Sequence, residues 1–221
     1  MIRLLSLLIG VSTLVACTNS ADFKKGEIEI FSTLKDVIST EKKPQKFIDA
    51  RKLVTREKID ASGLEILFVE LESGKNGTSI KYPGRNMGEV WLGVDGATIT
   101  LRNGFLIATR GLGDDLMSSA GAYPPLNLIA NTTTYIKTQT WLAADNKMVT
   151  KEFSCTVSVE SKQRDILVFD KAFLVRRAVE TCDDGTFKTE NEYYFDVNGL
   201  VRRSNQYLSP TLGSLLIERL D

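Results

Sequence analysis

The stretch AFLVRRAVETCDDGTFKTENEYYFDVNGLVRRSNQY (residues 172–207) decides the fold class. Apolar and polar residues alternate along it, which is typical of strands that bury one face. The predicted strands are divided by the turn-forming groups Asp183-Asp184-Gly185 and Asn198-Gly199, and span residues 172–182, 186–196 and 200–207. Because these connections are too short for a crossover helix, consecutive strands must pair antiparallel. The stretch therefore predicts a β-meander.

The same kind of pattern continues towards the N-terminus. The further predicted strands are residues 64–72, 89–94, 97–102, 105–110, 133–143, 147–160 and 165–169. Asn103-Gly104 indicates a two-residue hairpin, because both central positions of a type I′ turn need a positive φ. Asp145-Asn146 and Ser161–Arg164 are interpreted as further turns. We expect a mainly β fold, an antiparallel meander curled into a sandwich or an open barrel.

Helical signals are confined to the N-terminal part of the chain. Apolar residues recur at helical spacing between 27 and 40, which predicts a helix there. Thr55 resembles an N-cap for a short helical turn that ends at Gly63. Since no change in composition marks a second domain, we expect residues 27–221 to form one mostly β domain with short N-terminal helical segments.

Composition excludes several classes of function. The 221 residues carry 28 Lys and Arg against 28 Asp and Glu, so there is no excess of positive charge to neutralise nucleic acid. The sequence contains no His, which rules out Ser-His-Asp and Cys-His catalysis and the HExxH zinc site. We expect no cofactor, no metal and no nucleic-acid partner.

The first residues, MIRLLSLLIGVSTLVACTNS (1–20), indicate export. The apolar run Leu4–Val15 follows a positive start and is shorter than the ~20 residues that a membrane-spanning helix needs. Residues 1–16 are predicted to be a signal peptide. The ending Leu-Val-Ala-Cys resembles the bacterial lipobox, so Cys17 is the predicted lipidation site and residues 17–26 a lipidated tether. Two or three acyl chains hold a protein stably on a membrane.

Export places the two remaining thiols in an oxidising compartment, where a disulfide between Cys155 and Cys182 is expected. With a turn at Ser161–Asp165, a flat hairpin would put Cys155 opposite about Asp170. The next strand would then have to bend near Asp170-Lys171 for the sulfur atoms to meet. Two free buried thiols remain the alternative.

One candidate contact with a glycan or a partner is the loop Gly111–Met117, in which Asp114 and Asp115 could bind sugar hydroxyls or a calcium ion. Adjacent carboxylates on an extended chain point to opposite faces, so they make a poor glycosidase pair. The alternative is a glycine-dependent turn whose Asp side chains are solvated or act as caps.

Tyr193 and Arg203 are the second candidate pair, within two segments rich in aromatic and polar residues. Aromatic faces that stack on sugar rings, with polar neighbours, would suit a polysaccharide. The alternative is ordinary sheet pairing, in which the aromatic rings point inward and the Arg charges meet cross-strand Glu.

The order of these motifs resembles the YjbF-type, or group 4 capsule polysaccharide, lipoprotein family over about residues 60–215. The resemblance is carried by the lipobox, by Thr109–Leu116, and by Asn191-Glu192-Tyr193 followed by Arg203–Pro210. It implies a periplasm-facing β domain anchored to the outer membrane, which acts in exopolysaccharide or capsule production or export. It also implies an outer-membrane β-barrel partner.

The leading hypothesis is therefore a non-enzymatic accessory lipoprotein of the outer membrane that contacts its bilayer, a secretion β-barrel and polysaccharide itself. Thr18 after the Cys favours sorting to the outer membrane. One alternative is a polysaccharide-modifying glycosidase or lyase that uses Asp114, Asp115, Tyr193 or Arg203. The other is an envelope-structural lipoprotein with no glycan role.

Overall fold

A computed structural model describes residues 49–83, 88–142 and 147–221. The predicted signal peptide (1–16), tether (17–26) and helix over 27–40 lie outside the described residues, and so does the turn at Asp145-Asn146. Within the described ranges, no helix is long and apolar enough to cross a membrane.

The described chain is almost entirely strand. Its helices are α1 (Ala50–Leu53), α2 (Arg56–Ser62) and a 3₁₀ turn at Leu126–Leu128. The strands are β1 (Ile66–Leu71), β2 (Asn76–Tyr82), β3 (Glu89–Gly93), β4 (Thr98–Arg102), β5 (Phe105–Arg110), β6 (Leu116–Gly121), β7 (Thr132–Leu142), β8 (Met148–Val168), β9 (Lys171–Asp183), β10 (Lys188–Phe195), β11 (Val201–Ser209) and β12 (Gly213–Arg219).

All twelve strands belong to one antiparallel sheet, in the order β5-β4-β3-β2-β1-β12-β11-β10-β9-β8-β7-β6. β1 and β12 pair directly, so the two ends of the meander meet in the middle of the sheet. β5 and β6 are the two edges although they follow each other in the chain, and the sheet curls until these edges approach. The mainly β prediction is confirmed, and the shape is a nearly closed barrel. The sequence had not suggested β2 or β6.

The predicted turn at Asn103-Gly104 is present, with φ values of 51° and 84°. The predicted helical turn is also present: Thr55 Oγ1 accepts a hydrogen bond from the Lys58 backbone N–H, and Gly63 ends α2 with φ 62°. These local signals succeed because each depends on a few neighbouring backbone angles and caps.

Apolar side chains pack in two places. The barrel interior is filled by two clusters: one includes Leu67, Trp91, Leu101, Leu116, Trp141, Phe153, Leu208 and Ile217, and the other Phe105, Tyr123, Leu126, Val157, Tyr193 and Phe195. A third cluster lies on the outside of the sheet, where Ile59 of α2 joins Phe68, Val168 and Leu220. Arg56 ties this outer layer together, because its guanidinium donates to Val168 O at 2.9 Å and Phe169 O at 3.1 Å.

The expected turn at Ser161–Arg164, and the separate strand after it, are wrong. β8 runs on to Val168, and the chain reverses at Phe169-Asp170, whose φ values are 45° and 65°. The polar run from 161 to 164 had suggested a turn, but it is a largely solvent-exposed part of a strand.

The reversal at Phe169-Asp170 and a bulge in β8 together set the pairing of the two cysteines, in place of the bend expected near Asp170-Lys171. β8 advances four positions from Val159 to Gln163, while its partner advances two, from Arg176 to Ala178. As a result Cys155 lies directly opposite Cys182, with 4.0 Å between their Cα atoms, and the structure contains the disulfide between them.

Candidate functional site

The loop between the edge strands β5 and β6 is organised around the Asp115 carboxylate, which is buried. Its Oδ1 accepts from Thr109 Oγ1 at 2.8 Å and from the Leu112 N–H at 3.2 Å, and its Oδ2 accepts from the Gly111 N–H at 2.8 Å. The Leu116 N–H donates to Thr109 Oγ1 at 3.0 Å. The structure shows no strand pairing between β5 and β6, so these side chains join the two edges. We call this contact, formed by residues 109–117, the seam.

Arg110 adds a second set of bonds across the seam. Its Nη1 donates to Leu116 O at 3.3 Å and its Nη2 to Met117 O at 2.9 Å. Gly111 and Gly113 have φ values of 85° and 111°, and a residue with a side chain would be strained at these backbone angles. Asp115 thus acts as in the turn alternative, with both carboxylate oxygens engaged by the protein.

Asp114 is half-buried and lies near Tyr207. Burial, followed by the negative charge of Asp114, raises the pKa of Tyr207 to about 12. Of the two Asp residues, Asp115 accepts the hydrogen bonds of the seam and Asp114 accepts none of them. Its role as a glycan or partner contact stays a prediction.

Tyr193 and Arg203 lie on neighbouring strands but on opposite faces, since Tyr193 pairs with Ser204 and Arg203 pairs with Tyr194. Tyr193 is fully buried in the barrel, so its ring has no surface for a sugar. Its proposed role as a surface contact is therefore corrected to an interior packing role, as in the alternative interpretation.

Arg203 lies on the outer face and is held by protein groups. Its Nε donates to Glu218 Oε1 at 2.7 Å and its Nη2 to Leu167 O at 2.5 Å. Arg51 binds the other Glu218 oxygen at 2.8 Å. This is the cross-strand Glu pairing that the alternative interpretation expected, and it separates Arg203 from Asp114, Asp115 and Tyr193.

A buried polar network, which the sequence reading missed, surrounds Glu180 inside the barrel. The Glu180 carboxylate accepts from Lys137 Nζ at 2.9 Å, Asn191 Nδ2 at 2.5 Å and the Tyr193 hydroxyl at 3.0 Å, and from the Tyr135 hydroxyl. Burial acts to raise the pKa of Glu180, but the charge of Lys137 and these donors lower it below its usual value. The carboxylate is therefore ionised at neutral pH.

The network reaches the far side of the barrel through Gln206. Its Oε1 accepts from the Leu106 N–H at 2.8 Å and lies 3.2 Å from the Tyr193 hydroxyl, and its Nε2 donates to Gly104 O at 2.9 Å. Polar side chains in the interior thus connect β9 and β10 to the β4–β5 hairpin.

Glu180 also lies beside the disulfide, with its carboxylate and the two sulfur atoms within 4.8 Å of one another. Such a set of ligand types could hold a metal ion in principle. In this structure the two sulfur atoms are bonded to each other, so they are not available as thiolate ligands.

An open cleft of about 380 Å³ occupies one mouth of the barrel. Its apolar floor is formed by Leu67, Leu101 and Ile217 from the interior cluster. Its walls and rim come from the β4–β5 hairpin, the β10–β11 turn and the ends of β3 and β12, and include Glu89, Arg102, Asn103, Asn198, Val201, Ser204 and Arg219. This size lies within the range of small-molecule sites, and barrel mouths are a common place for them.

Charged groups at the cleft form a connected chain. Arg219 Nη2 binds Glu89 Oε2 at 2.5 Å, Lys81 Nζ binds Glu89 Oε1 at 3.0 Å, and Lys81 also binds Glu65 at 2.9 Å. Burial acts to raise the pKa of Glu89, but the charge of Arg219 and the hydrogen bond from Lys81 lower it. The Arg219 guanidinium lies over the Trp91 ring, 4.7 Å from its centroid.

The sequence does carry weak signals for these missed residues. Glu180 and Arg219 are charged residues at positions where the strand alternation expects inward, apolar side chains, between Ala178 and Cys182 and after Ile217. A charge at such a position requires a partner, because burying it alone is costly. The partners themselves come from distant strands, so the sequence does not identify them.

The described residues and these sites define a class of protein: an antiparallel, barrel-like β fold with a polar network inside and an open, charged mouth. The chain belongs to the family described as Group 4 capsule polysaccharide lipoprotein gfcB, YjbF, whose model matches residues 31–220. The resemblance noted from the sequence is thereby confirmed.

A solved structure supports the same fold. The crystal structure of the hypothetical lipoprotein YmcC from Escherichia coli (K12) superposes with a TM-score of 0.70 and 15% sequence identity. The match covers 91% of this chain and 97% of that one. Among curated proteins, no significant match is found.

Proposed function

We propose that this protein is an outer-membrane lipoprotein, acylated at Cys17, that acts as a non-enzymatic accessory factor in exopolysaccharide or capsule production or export. The observation that carries the proposal is the family match over residues 31–220, which ties the chain to capsule polysaccharide lipoproteins. The Leu-Val-Ala-Cys ending of the leader supports the anchor, and Thr18 supports outer-membrane sorting with the domain facing the periplasm.

The engagement of the candidate reactive groups favours an accessory role over a glycosidase or lyase. Both oxygens of Asp115 accept hydrogen bonds within the seam, and the Tyr193 hydroxyl is buried against Glu180. Arg203 is paired with Glu218. A catalytic group must reach its substrate within hydrogen-bond distance, so these three side chains would have to leave their present contacts to react.

The partner that fits this role is an outer-membrane β-barrel of a polysaccharide secretion system, as the family resemblance implies. The acyl chains would hold the domain against the inner leaflet, which raises the effective concentration of the domain at its partner. The bilayer and the partner would together determine its location.

Lipid attachment is tested with Cys17→Ser in the full chain, expressed in its native host. We expect the protein to leave the membrane fraction and surface polysaccharide to fall. Thr18→Ser is the matched control and should change neither. If membrane association and polysaccharide output both survive Cys17→Ser, the proposal is contradicted. A further variant, Thr18→Asp, tests sorting and should redirect the protein to the inner membrane.

The enzymatic alternative is tested by incubating the purified full-length protein with the isolated polysaccharide. An accessory factor leaves the chain length unchanged and generates no unsaturated ends. Chain shortening that disappears in Asp114→Asn would instead establish an enzyme.

A further inference from the structure

A second open cleft, of about 450 Å³, lies where the β8–β9 hairpin, the β10–β11 turn and the 3₁₀ turn meet, and we call it the hairpin cleft. Its lining includes Asn127, Gln163, Leu174, Arg176, Phe195 and Val197. At the cleft in the barrel mouth, which we call the mouth cleft, the cations Arg219 and Lys81 are already paired with carboxylates. The hairpin cleft differs because its cation is not paired.

That cation is Arg176, on the inward face of β9. It lies two positions before the buried Ala178 and directly opposite Gln163 of β8. Its guanidinium packs over the Phe195 ring, 5.0 Å from the centroid. Within residues 49–83, 88–142 and 147–221, this half-buried side chain forms no ion pair and no hydrogen bond. The ring holds one face of the guanidinium, and its five N–H donors are left for a ligand.

The neighbouring Arg177 shows the contrast. Its side chain lies on the outer face of the sheet, where Nη1 binds Glu160 Oε1 at 2.8 Å and Nη2 binds Glu192. Two arginines that follow each other in one strand therefore differ in their partners: the protein supplies two carboxylates to Arg177 and none to Arg176.

The carboxylates near the hairpin cleft do not compensate Arg176. Asp196 lines the cleft, but its Oδ2 accepts from Arg202 Nε at 3.0 Å and its Oδ1 accepts from the Leu200 N–H at 3.1 Å. Asp165 follows Gln163 on the same face of β8; it is exposed and forms no ion pair with any described residue. The cleft thus carries one uncompensated positive charge, which favours an anionic ligand.

Polar side chains without protein partners surround this charge. Ser161 and Gln163 come from the bulged part of β8, and Asn127 comes from the 3₁₀ turn. In the part of the chain that the structure describes, none of these three side chains makes a hydrogen bond. Asn127 packs directly on the β10–β11 turn, since a Cβ atom on Gly199 would lie 2.5 Å from its Oδ1. Amides and hydroxyls both donate and accept, as sugar hydroxyls require.

The remaining features of the hairpin cleft favour an acidic sugar. Leu174 and Val197 line it with side chains that are 54% and 80% exposed, so an apolar ring face could pack on them. One uncompensated positive charge matches the single charge of a carboxylate better than the charge of about −1.5 to −2 on a phosphate monoester. A planar carboxylate also fits the fork of a guanidinium.

We propose that the hairpin cleft binds a carboxylate-bearing sugar unit of a polysaccharide, with Arg176 donating to the carboxylate. Gln163 and Asn127 bind the sugar hydroxyls, and Leu174 and Val197 contact the apolar face of the ring. The inference rests on the proposed function for the polysaccharide, and adds the class of sugar and its place in the fold.

The test uses the full-length protein in detergent. The probes are methyl β-D-glucuronide and methyl α-D-galacturonide, each compared with the matching neutral methyl glycoside. Saturation-transfer NMR should detect at least one uronide and neither neutral glycoside. Arg176→Gln should weaken uronide binding about tenfold or more, because hydrogen bonds to charged groups are the strong ones. Gln163→Glu keeps Arg176 and should also weaken binding, because a carboxylate directly opposite the guanidinium would pair with it.

The matched control is Lys188→Gln, which removes one positive charge from an exposed position of β10 outside the cleft. It should bind the uronides like the parent. Equal binding of a uronide and its neutral glycoside, no binding of either uronide, or an effect of Lys188→Gln as large as that of Arg176→Gln would overturn the proposal. Stronger binding of sn-glycerol 3-phosphate than of the uronides would overturn the sugar assignment and favour a lipid headgroup.

This experiment fails separately from the proposed function. Retained polysaccharide output in cells that carry Arg176→Gln, together with a loss of output in Cys17→Ser, would leave the accessory role standing and remove the hairpin cleft from it. Loss of uronide binding and of output in Arg176→Gln would connect the two.

Discussion

The two sides of the barrel are closed by different means. On one side, β8 and β9 are joined by a long antiparallel ladder, a disulfide and the buried Glu180 network. On the other side, the edges of β5 and β6 meet at the seam, where Asp115 and Arg110 supply the contacts. The comparison explains why a motif that resembles a ligand loop has another role: a sheet that does not close by strand pairing needs side chains to close it.

The largest effect is expected on the ladder side, at Glu180. Glu180→Gln removes the charge that pairs with Lys137, and leaves that ammonium group buried without its counter-ion. Breaking a buried pair from one side costs about 3–5 kcal/mol. Urea unfolding should show this loss. Glu190→Gln, on an exposed position of β10, is the control, and equal stability of Glu180→Gln and the parent would contradict the role given to the network.

The disulfide should contribute slightly less. Cys155 and Cys182 are 27 residues apart, and closing a loop of that size stabilises the fold by roughly 3–4 kcal/mol through restriction of the unfolded chain. We expect the double variant Cys155→Ser, Cys182→Ser to lose about this much when unfolding is compared under oxidising conditions. If a reductant destabilises the double variant as much as it destabilises the parent, the effect does not come from this bond.

The seam should respond more weakly and more locally. Asp115→Asn replaces one acceptor oxygen by a donor, so one of the groups it binds, such as the Gly111 N–H, loses its partner; the expected cost is about 2–3 kcal/mol. Amide hydrogen exchange should increase in residues 109–117 and stay unchanged in β8 and β9. Asp114→Asn is the control and should lie within about 0.5 kcal/mol of the parent. Uniform acceleration of exchange across the whole barrel would argue against a separate seam.

The sequence predicts the features that depend on neighbouring residues and misses those that depend on strand pairing. The Asn103-Gly104 hairpin and the Thr55 cap are determined by local backbone preferences, and both were predicted correctly. The course of β8 was not, because its bulge is set by pairing with β9 and by exposure of the polar run, and neither can be read from local composition. The resemblance to the family located the seam motif, but its meaning depends on β5 and β6 becoming edges of a sheet formed by the whole chain.

The candidate site residues also depend on strand pairing, which the sequence does not give. Tyr193 and Arg203 were grouped because they lie on adjacent strands, yet their pairing register places them on opposite faces. A shift of one residue in a strand exchanges its two faces, so the register decides which side chains can share a ligand. The mouth cleft combines residues of the paired strands β1, β12 and β11 with residues of β4, which lies three strands away from β1 in the sheet and reaches the cleft when the sheet curls.

The smallest effect at neutral pH, and the sharpest distinction between the two sides, is expected at Tyr123. Its ring packs on Phe105 of β5 at 5.4 Å between centroids, and its hydroxyl donates to Ser119 of β6 at 2.5 Å, so it lies across the seam. Burial raises the pKa of Tyr123 to about 12, from an ordinary value of 10.0. Because the folded pKa is the higher one, this group stabilises the fold fully below pH 10 and loses that contribution as pH rises towards 12.

Tyr123→Phe should therefore cost about 1 kcal/mol at pH 8, where one hydrogen bond is lost, and then lose less stability than the parent between pH 10 and 12. Tyr207, whose pKa is also raised to about 12, remains in both proteins and cancels from the comparison. Urea unfolding at each pH, with absorbance at 295 nm to follow phenolate formation, measures both quantities. Parallel stability curves for the two proteins would mean that ionisation of Tyr123 does not contribute to alkaline unfolding, and would contradict this role for the seam.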